Sequence, residues 1–247
     1  MTHLILQAPK LNAADTEKIA AIAQAGGLQN LDNTAVRLLD VDPGEQAEVA
    51  QCCATLGIDY AYIDRPARLS DCKVLATDMD STLINIECID EIADMVGRKA
   101  EVAAITEAAM RGEISDFSES LRRRVGLLAG VPVAALERVY TERLRLNAGA
   151  EKLIASAKAA GLKTMLVSGG FTFFTERLQQ RLGLDATHAN VLEIENGALT
   201  GKVLGDIVDA QAKANHLRAL AQNTGASADQ IIALGDGAND LKMLALA

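Results

Sequence analysis

Three short apolar segments each end directly at a polar, glycine-containing or acidic turn, and this pattern constrains the fold more than any other feature of the chain. The segments are residues 74–77, 164–167 and 231–234, and the turns that follow them are residues 78–82, 168–170 and 235–237. Apolar runs of this length are typical of buried strands, and the helical periods between them favour a mostly parallel sheet flanked by helices. Because ligands bind at the carboxyl ends of such strands, the three turns predict a single cleft.

The first 70 residues follow a different pattern, in which short strands and helices alternate in the order βαββαβ. The predicted strands are residues 3–7, 27–30, 36–40 and 58–63, and the predicted helices are residues 13–24 and 44–56. This order predicts a small ferredoxin-like α+β domain over residues 1–70. Residues 64–68 form a plausible linker, because Pro66 interrupts hydrogen-bonded strand pairing.

The second predicted domain, residues 71–247, contains a long helical insertion. Residues 86–147 have a helical period and no strand-like run, with breaks at Gly112, Gly130 and Pro132. We interpret this insertion as a helical cap over the cleft. Farther along, Asn196-Gly197 lies between two apolar runs, which predicts a β-hairpin over residues 191–203.

Composition excludes several classes of function. With 49% hydrophobic residues the chain is globular, and a net charge of −9 with 3% aromatic residues argues against nucleic acid as a partner. No apolar run is long enough to span a membrane and no leader peptide is evident, so we expect a cytoplasmic protein without a membrane partner. The four cysteines and three histidines have no metal-ligand spacing, and we interpret all seven as structural.

The acidic turn after the first predicted strand indicates phosphoryl chemistry. Asp78 and Asp80 are two residues apart, so both carboxylates can reach the same cleft. One carboxylate can attack phosphorus while the other handles the proton. Asp-x-Asp-x-Thr alone is a weak signal, since acidic turns also bind Ca²⁺ or cap helices.

An aspartate that attacks a phosphate ester brings one anion against another, so the site must supply positive charge. Carboxylate oxygens suit Mg²⁺, a lysine can neutralise the phosphate, and a hydroxyl or backbone amide at a strand end can donate hydrogen bonds to it. The candidates are Asp78, Asp80 and Asp236 for the metal, Asp240 as a support for these ligands, Lys213 as the cation, and Ser168 with the Gly169 amide as donors.

Together these elements resemble the haloacid dehalogenase superfamily of phosphatases. Within it, the stretch from residue 73 to residue 247 is similar to the phosphoserine phosphatases, because it also contains the motifs at residues 87–93, 120–125 and 167–171. The resemblance implies a Rossmann-like core with a helical-bundle cap and dependence on Mg²⁺. It also implies hydrolysis of O-phospho-L-serine to L-serine and phosphate, the last step of serine biosynthesis.

The resemblance further implies a role for each matching residue. Asp78 is the nucleophile, and Asp80 is the general acid and base and meets the metal through its backbone carbonyl. Glu87 binds the substrate ammonium and Arg124 its carboxylate. Ser168, Gly169, Lys213 and Asn239 form the phosphate pocket. Successive residues of a helix diverge by about 100°, so we expect one of the three arginines at 122–124 to face the site, and the family motif selects Arg124.

One departure from the family pattern concerns the C-terminal end of the chain. The sequence stops seven residues after Asp240, whereas members of the family continue with at least one more strand and helix, so we expect a truncated C-terminal end. The N-terminal domain resembles ACT-type regulatory domains. Three interpretations of it stay open: binding of an amino acid, homodimerisation, and a plain scaffold.

Three other functions compete with this interpretation. The first is hydrolysis or transfer of phosphate from another small phosphomonoester. The second is a receiver-like module whose phosphorylated aspartate persists as a signal, although a second carboxylate at Asp80 favours turnover. The third is a non-catalytic amino-acid sensor that acts through the N-terminal domain.

Overall fold

The computed structural model describes residues 2–64 and 67–247 and divides the chain into two compact units. The first is Met1–Arg68 and the second is Leu69–Ala247. Two residues of the predicted linker, Arg65 and Pro66, lie outside the described residues.

The first unit is a four-stranded antiparallel sheet with two helices. Its elements are β1 His3–Gln7, α1 Ala13–Ile22, β2 Gly27–Asn30, β3 Ala35–Leu39, α2 Gln46–Leu56 and β4 Asp59–Ile63, and its strand order is β2-β3-β1-β4. Alternate residues of β1, such as Leu4 and Leu6, are buried in one core with Ile19 of α1 and Val49 of α2. The predicted ferredoxin-like architecture is confirmed. An amino-acid ligand and a dimer contact for this unit stay predictions.

The second unit is built on a five-stranded sheet of order β8-β7-β6-β5-β9. Its strands are β5 Val74–Thr77, β6 Lys163–Phe171, β7 Ala186–Glu195, β8 Ala198–Leu204 and β9 Ile231–Leu234. The pairs β5–β6, β5–β9 and β6–β7 are parallel, and β7–β8 is antiparallel. The mostly parallel sheet is therefore confirmed, with β5 between the other two strands that were predicted to end at the cleft.

Helices cover both faces of this sheet, because successive side chains of a strand point to opposite faces. Val74 of β5 is buried in one cluster with Leu217 of helix α9 (Ala210–Thr224), whereas Leu75 is buried in another with Phe174 of helix α8 (Thr172–Leu182). The helices of the unit are α3 Cys88–Met95, α4 Lys99–Met110, α5 Phe117–Gly126, α6 Val133–Arg138, α7 Ala150–Ala159, α8 Thr172–Leu182, α9 Ala210–Thr224 and α10 Leu241–Leu244.

The segment between β5 and α7 is helical. It consists of α3 to α6, here called the cap helices, and a π-helical turn at Val139–Arg143. The hairpin predicted at Asn196-Gly197 is confirmed, and both residues have positive φ angles, 51° and 79°, as a tight two-residue turn requires. Within the described residues, none of the helices combines the length and the apolar character needed to cross a membrane.

One local prediction is wrong. Residues 168–170 were expected to form a turn after a strand ending at Val167, but β6 continues through them to Phe171. The pairing of β6 with β7 shifts register between Val167 and Phe171. A strand can continue through an irregularity of this kind although some of its backbone groups leave the regular ladder. A Ser-Gly-Gly sequence is compatible both with a turn and with an irregular strand.

Candidate active site

The cleft at the carboxyl ends of β5, β6 and β9 brings the predicted site residues together. Its lining includes Asp78, Asp80, Glu87, Arg124, Ser168, Gly169, Asp236 and Asn239. The other two candidates, Lys213 and Asp240, are fully buried beneath this lining. Lys213 contacts Asp78 of the lining, and Asp240 contacts Lys213. The geometry therefore gathers residues from three strand ends, two cap helices and α9 into one place.

A buried lysine lies at the floor of the cleft between two carboxylates. Lys213 Nζ lies 2.8 Å from Asp78 Oδ1 and 2.7 Å from Asp240 Oδ1. Helix α9 holds this lysine, and Asp209 caps the helix by accepting a hydrogen bond from the Ala212 amide at 2.8 Å. One cation between two anions leaves the floor with a net negative charge. Such a floor favours the binding of a further cation.

Burial raises the pKa values of Asp78 and Asp80 toward neutral pH. The pKa of Asp78 is raised to about 6 by burial, against the opposing effect of Lys213. The pKa of Asp80 is raised to about 7 by burial and by the nearby charge of Glu87, although its Oδ1 accepts a hydrogen bond from the Cys88 amide at 3.0 Å. Asp80 is therefore able to hold or release a proton near neutral pH.

Three carboxylates at the floor have the chemistry of a divalent-cation site. Oxygen atoms of Asp78, Asp236 and Asp240 all lie within 4.8 Å of one another. Thr82 Oγ1 donates a hydrogen bond to Asp236 Oδ1 at 2.5 Å and so orients that carboxylate. Hard oxygen donors at this spacing fit Mg²⁺.

Asp240 is already occupied by protein partners. Its Oδ1 pairs with Lys213, and its Oδ2 accepts a hydrogen bond from the Gly237 amide at 3.1 Å. This arrangement fits the predicted support role of Asp240 better than direct ligation. The Asp80 backbone carbonyl, the other predicted ligand, accepts the Thr82 amide at 2.7 Å and keeps a second lone pair.

The wall formed by the end of β6 carries hydrogen-bond donors. The Gly170 amide donates to Ser168 Oγ at 2.8 Å, which leaves the Ser168 hydroxyl hydrogen for a partner in the cleft. A Cβ atom at Gly170 would lie 2.7 Å from Asp80 Oδ2 and 2.8 Å from Met79 Cε. Glycine is therefore needed at this position, since any side chain would displace the Asp80 carboxylate.

The opposite wall comes from the cap helices and carries one anion and one cation. Glu87 precedes α3, and its Oε1 accepts a hydrogen bond from Ser81 Oγ at 2.5 Å. Burial raises the pKa of Glu87 and lowers the pKa of Arg124. On the same helix as Arg124, Arg123 turns outward and pairs with Glu119 at 2.7 Å.

Sequence reasoning missed two groups that hold the site in shape. Thr82 is the threonine of the Asp-x-Asp-x-Thr motif, but no role was predicted for it. Because Thr82 and Asp236 are far apart in the sequence, nothing local indicates the hydrogen bond between them. Asn190, buried in β7, bonds to the Gly169 carbonyl and was not singled out at all. A lone asparagine in a strand carries no pattern from which such a role can be predicted.

Comparison with known proteins gives a family match over most of the second unit. Residues 75–245 match the family model of haloacid dehalogenase-like hydrolases, and residues 4–49 match a domain of unknown function. A phosphoserine phosphatase of Albidiferax ferrireducens is 60% identical over 183 residues, which are 72% of this chain and 77% of that protein.

Solved structures agree with this match. A probable phosphoserine phosphatase from Vibrio cholerae, in unliganded form, superimposes with a TM-score of 0.82 at 38% identity and covers 100% of this chain and 76% of that one. A phospho-aspartyl intermediate analogue of a phosphoserine phosphatase gives a TM-score of 0.66 at 40% identity, over 71% of this chain and 83% of that one.

Proposed function

The chain belongs to the haloacid dehalogenase-like hydrolases, and from this premise we propose that it hydrolyses O-phospho-L-serine to L-serine and inorganic phosphate. One observation carries the proposal. The cleft has two buried carboxylates, Asp78 and Asp240, and a buried lysine at its floor, and both Glu87 and Arg124 line the wall that the cap helices form, here called the cap wall. The relatives named above as phosphoserine phosphatases support the choice of substrate.

The two walls suit the two ends of phosphoserine. The ammonium group of the substrate pairs with Glu87, and its carboxylate accepts a bidentate contact from Arg124. At the other end, the Ser168 hydroxyl, the Gly169 amide and Asn239 donate to the phosphate oxygens. The apolar side chains of Ile89, Phe117 and Leu121 also line the cleft and exclude water from it.

Asp78 acts as the nucleophile in the first half of the reaction. Its carboxylate attacks phosphorus, an Oδ–P bond forms, and the bond from phosphorus to the serine oxygen breaks. Lys213, 2.8 Å from Asp78 Oδ1, offsets the repulsion between the attacking carboxylate and the phosphate. Asp80 donates its proton to the departing serine oxygen.

In the second half, Asp80 takes a proton from a water molecule, which attacks phosphorus and releases phosphate from Asp78. Each group then returns to its starting state. Mg²⁺ held by Asp78, Asp236 and the Asp80 backbone carbonyl would supply further positive charge against the phosphate when bound. Asp240 keeps Lys213 in place throughout, since it pairs with that lysine at 2.7 Å.

The proposal is tested by phosphate release from a panel of O-phospho-L-serine, O-phosphoethanolamine, 3-phosphoglycerate and glycerol phosphate, with Mg²⁺ or with EDTA. We expect the highest kcat/KM with O-phospho-L-serine and no release with EDTA. Asp78→Asn should lose at least about 10³-fold in kcat, while the matched change at the exposed Asp206, Asp206→Asn, should have no effect. A higher kcat/KM for another ester would refute the substrate.

A further inference from the structure

The buried side chain of Asn190 connects the two elements that approach the phosphate. Asn190 lies in β7 and is fully buried, and its amide group bonds at both ends. We propose that Asn190 is a positioning residue for the phosphate-binding half of the site, holding the Ser168–Gly170 wall and the start of α9 in a fixed relation. The inference rests on the phosphate-binding roles proposed above for Ser168, Gly169 and Lys213.

The first bond fixes the peptide between Gly169 and Gly170. Asn190 Nδ2 donates to the Gly169 carbonyl at 2.8 Å, and the amide of the same peptide donates to Ser168 Oγ at 2.8 Å. Because a peptide is planar, anchoring its carbonyl also aims its N–H group. The Ser168 oxygen is then occupied as an acceptor, and its hydroxyl hydrogen is left to point at the phosphate.

The strand ladder does not hold this peptide by itself. The pairing of β6 with β7 is regular as far as Val167, paired with His188, and resumes at Phe171, paired with Asn190. The peptide between Gly169 and Gly170 lies inside this irregular stretch. A side chain from the neighbouring strand therefore supplies the hydrogen bond that a regular ladder would otherwise give.

The second bond reaches the segment that begins α9. Asn190 Oδ1 accepts a hydrogen bond from the Val208 amide at 2.9 Å, and Val208 is buried. The next residue, Asp209, caps α9, and its carbonyl accepts the Lys213 amide at 2.9 Å. Fixing Val208 thus fixes the first turn of the helix that carries the buried lysine.

The planar amide of Asn190 makes both bonds without a charge, since it carries one donor group and one acceptor. A carboxylate can accept from the Val208 amide, but it sets a second oxygen against the Gly169 carbonyl oxygen. A serine is too short to span both groups. Asn190→Asp and Asn190→Ser therefore remove the same connection by two different routes.

The matched control is Thr187→Val on the same strand. Thr187 has a buried hydroxyl for which the described residues provide no hydrogen-bond partner. Its replacement by an isosteric apolar side chain changes the polarity of a neighbouring β7 position without breaking a hydrogen bond. A general effect of altering β7 would appear in this variant as well.

The experiment measures binding of inorganic phosphate to the full chain by calorimetry in the presence of Mg²⁺, together with thermal unfolding. We expect the Kd for phosphate to rise at least about tenfold in Asn190→Asp and Asn190→Ser, as a slight displacement of binding groups produces. The Kd for L-serine, which meets the cap wall instead, is measured in the same way and should stay within about twofold. Thr187→Val should match the wild type in both measurements.

Three outcomes would overturn the inference. These are a phosphate Kd near the wild-type value in a folded variant, equal weakening of L-serine and phosphate, or failure of both Asn190 variants to fold while Thr187→Val folds. Phosphate binding requires no turnover. A wild-type protein that binds phosphate but does not hydrolyse phosphoserine would therefore count against the proposed substrate and leave the role of Asn190 testable.

Discussion

At the scale of single residues, burial raises the pKa values of Asp78 and Asp80, and the neighbouring charges act in opposite directions on the two carboxylates. Asp78 lies against Lys213, which opposes the effect of burial, whereas Asp80 lies near the charge of Glu87, which adds to it. The pKa of Asp80 therefore rises further, to about 7, against about 6 for Asp78. Two carboxylates with separated pKa values can divide the roles of nucleophile and acid between them.

The raised pKa of Asp80 predicts a pH dependence of the first chemical step. The protonated form donates to the serine oxygen, so kcat with phosphoserine should fall as the pH rises above about 7. Asp80→Asn should lower kcat by about 10²- to 10⁴-fold with phosphoserine. The rate of leaving-group release in a single turnover isolates the first half of the reaction, because it does not include the water attack that Asp80 also assists. In this assay the loss should be much smaller with p-nitrophenyl phosphate, whose leaving group needs no proton, than with phosphoserine, and equal losses would contradict the acid role.

The same shift predicts how the metal-free protein responds to pH. Because the folded state holds the Asp80 proton up to a pH of about 7 and the unfolded chain releases it near its ordinary pKa, the folded state binds more protons between these values. The contribution of Asp80 to the free energy of unfolding should therefore fall as the pH rises from about 4 to about 7.

Asp80→Asn removes this titration and should raise the Tm of the metal-free protein by a few degrees at pH 8, where the wild type carries the buried charge. At pH 4 the two proteins should differ little. Thermal unfolding in EDTA at both pH values measures the effect. A Tm difference that is independent of pH would contradict it.

At the scale of secondary-structure elements, the orientation of one helix brings one of three successive arginines to the cleft. Arg124 lines the cleft, while Arg123, one step along α5, pairs with Glu119 on the outside. Helical geometry predicted that one of the three would face the site, but it did not identify which one. Only the packing of α5 through buried side chains such as Leu121 and Val125 sets that angle.

This orientation predicts that the same substitution changes the KM for phosphoserine at one arginine and not at its neighbour. Arg124→Lys loses the bidentate contact to the substrate carboxylate and should raise KM for phosphoserine about 10- to 100-fold. The matched variant Arg123→Lys should leave KM unchanged. O-phosphoethanolamine, which lacks the carboxylate, should show the same KM with both variants. Steady-state kinetics with both substrates measures these KM values. A larger rise in the KM for phosphoserine in Arg123→Lys than in Arg124→Lys would contradict the prediction.

The elements that a local residue pattern encodes were predicted well, whereas those shaped by tertiary contacts were not. Strands β5 and β9 have their predicted bounds because each is a short apolar run followed by an acidic or glycine-containing turn. The extension of β6 through Ser168, Gly169 and Gly170 depends on Asn190 of a neighbouring strand, which no local pattern encodes. The hydrogen bond from Thr82 to Asp236 escaped prediction for the same reason.

At the scale of the whole molecule, every residue assigned to the reaction belongs to the second unit. The first unit has a hydrophobic core of its own, and the sheet of the second unit is buried by its own helices. A chain that begins at Leu69 should therefore fold and retain kcat and KM for phosphoserine within about threefold. Circular dichroism and steady-state kinetics test this expectation. A folded but inactive product would show that the first unit contributes to catalysis.

The central claim is that phosphate passes from phosphoserine to Asp78, and label exchange tests it most directly. In the presence of Mg²⁺, the wild-type protein is incubated with unlabelled O-phospho-L-serine and isotopically labelled L-serine. An aspartyl-phosphate can be attacked by serine as well as by water, so label should appear in phosphoserine while phosphate is released. Asp78→Asn should show neither. Phosphate release by the wild type without any exchange of label, or release that survives in Asp78→Asn, would contradict the account.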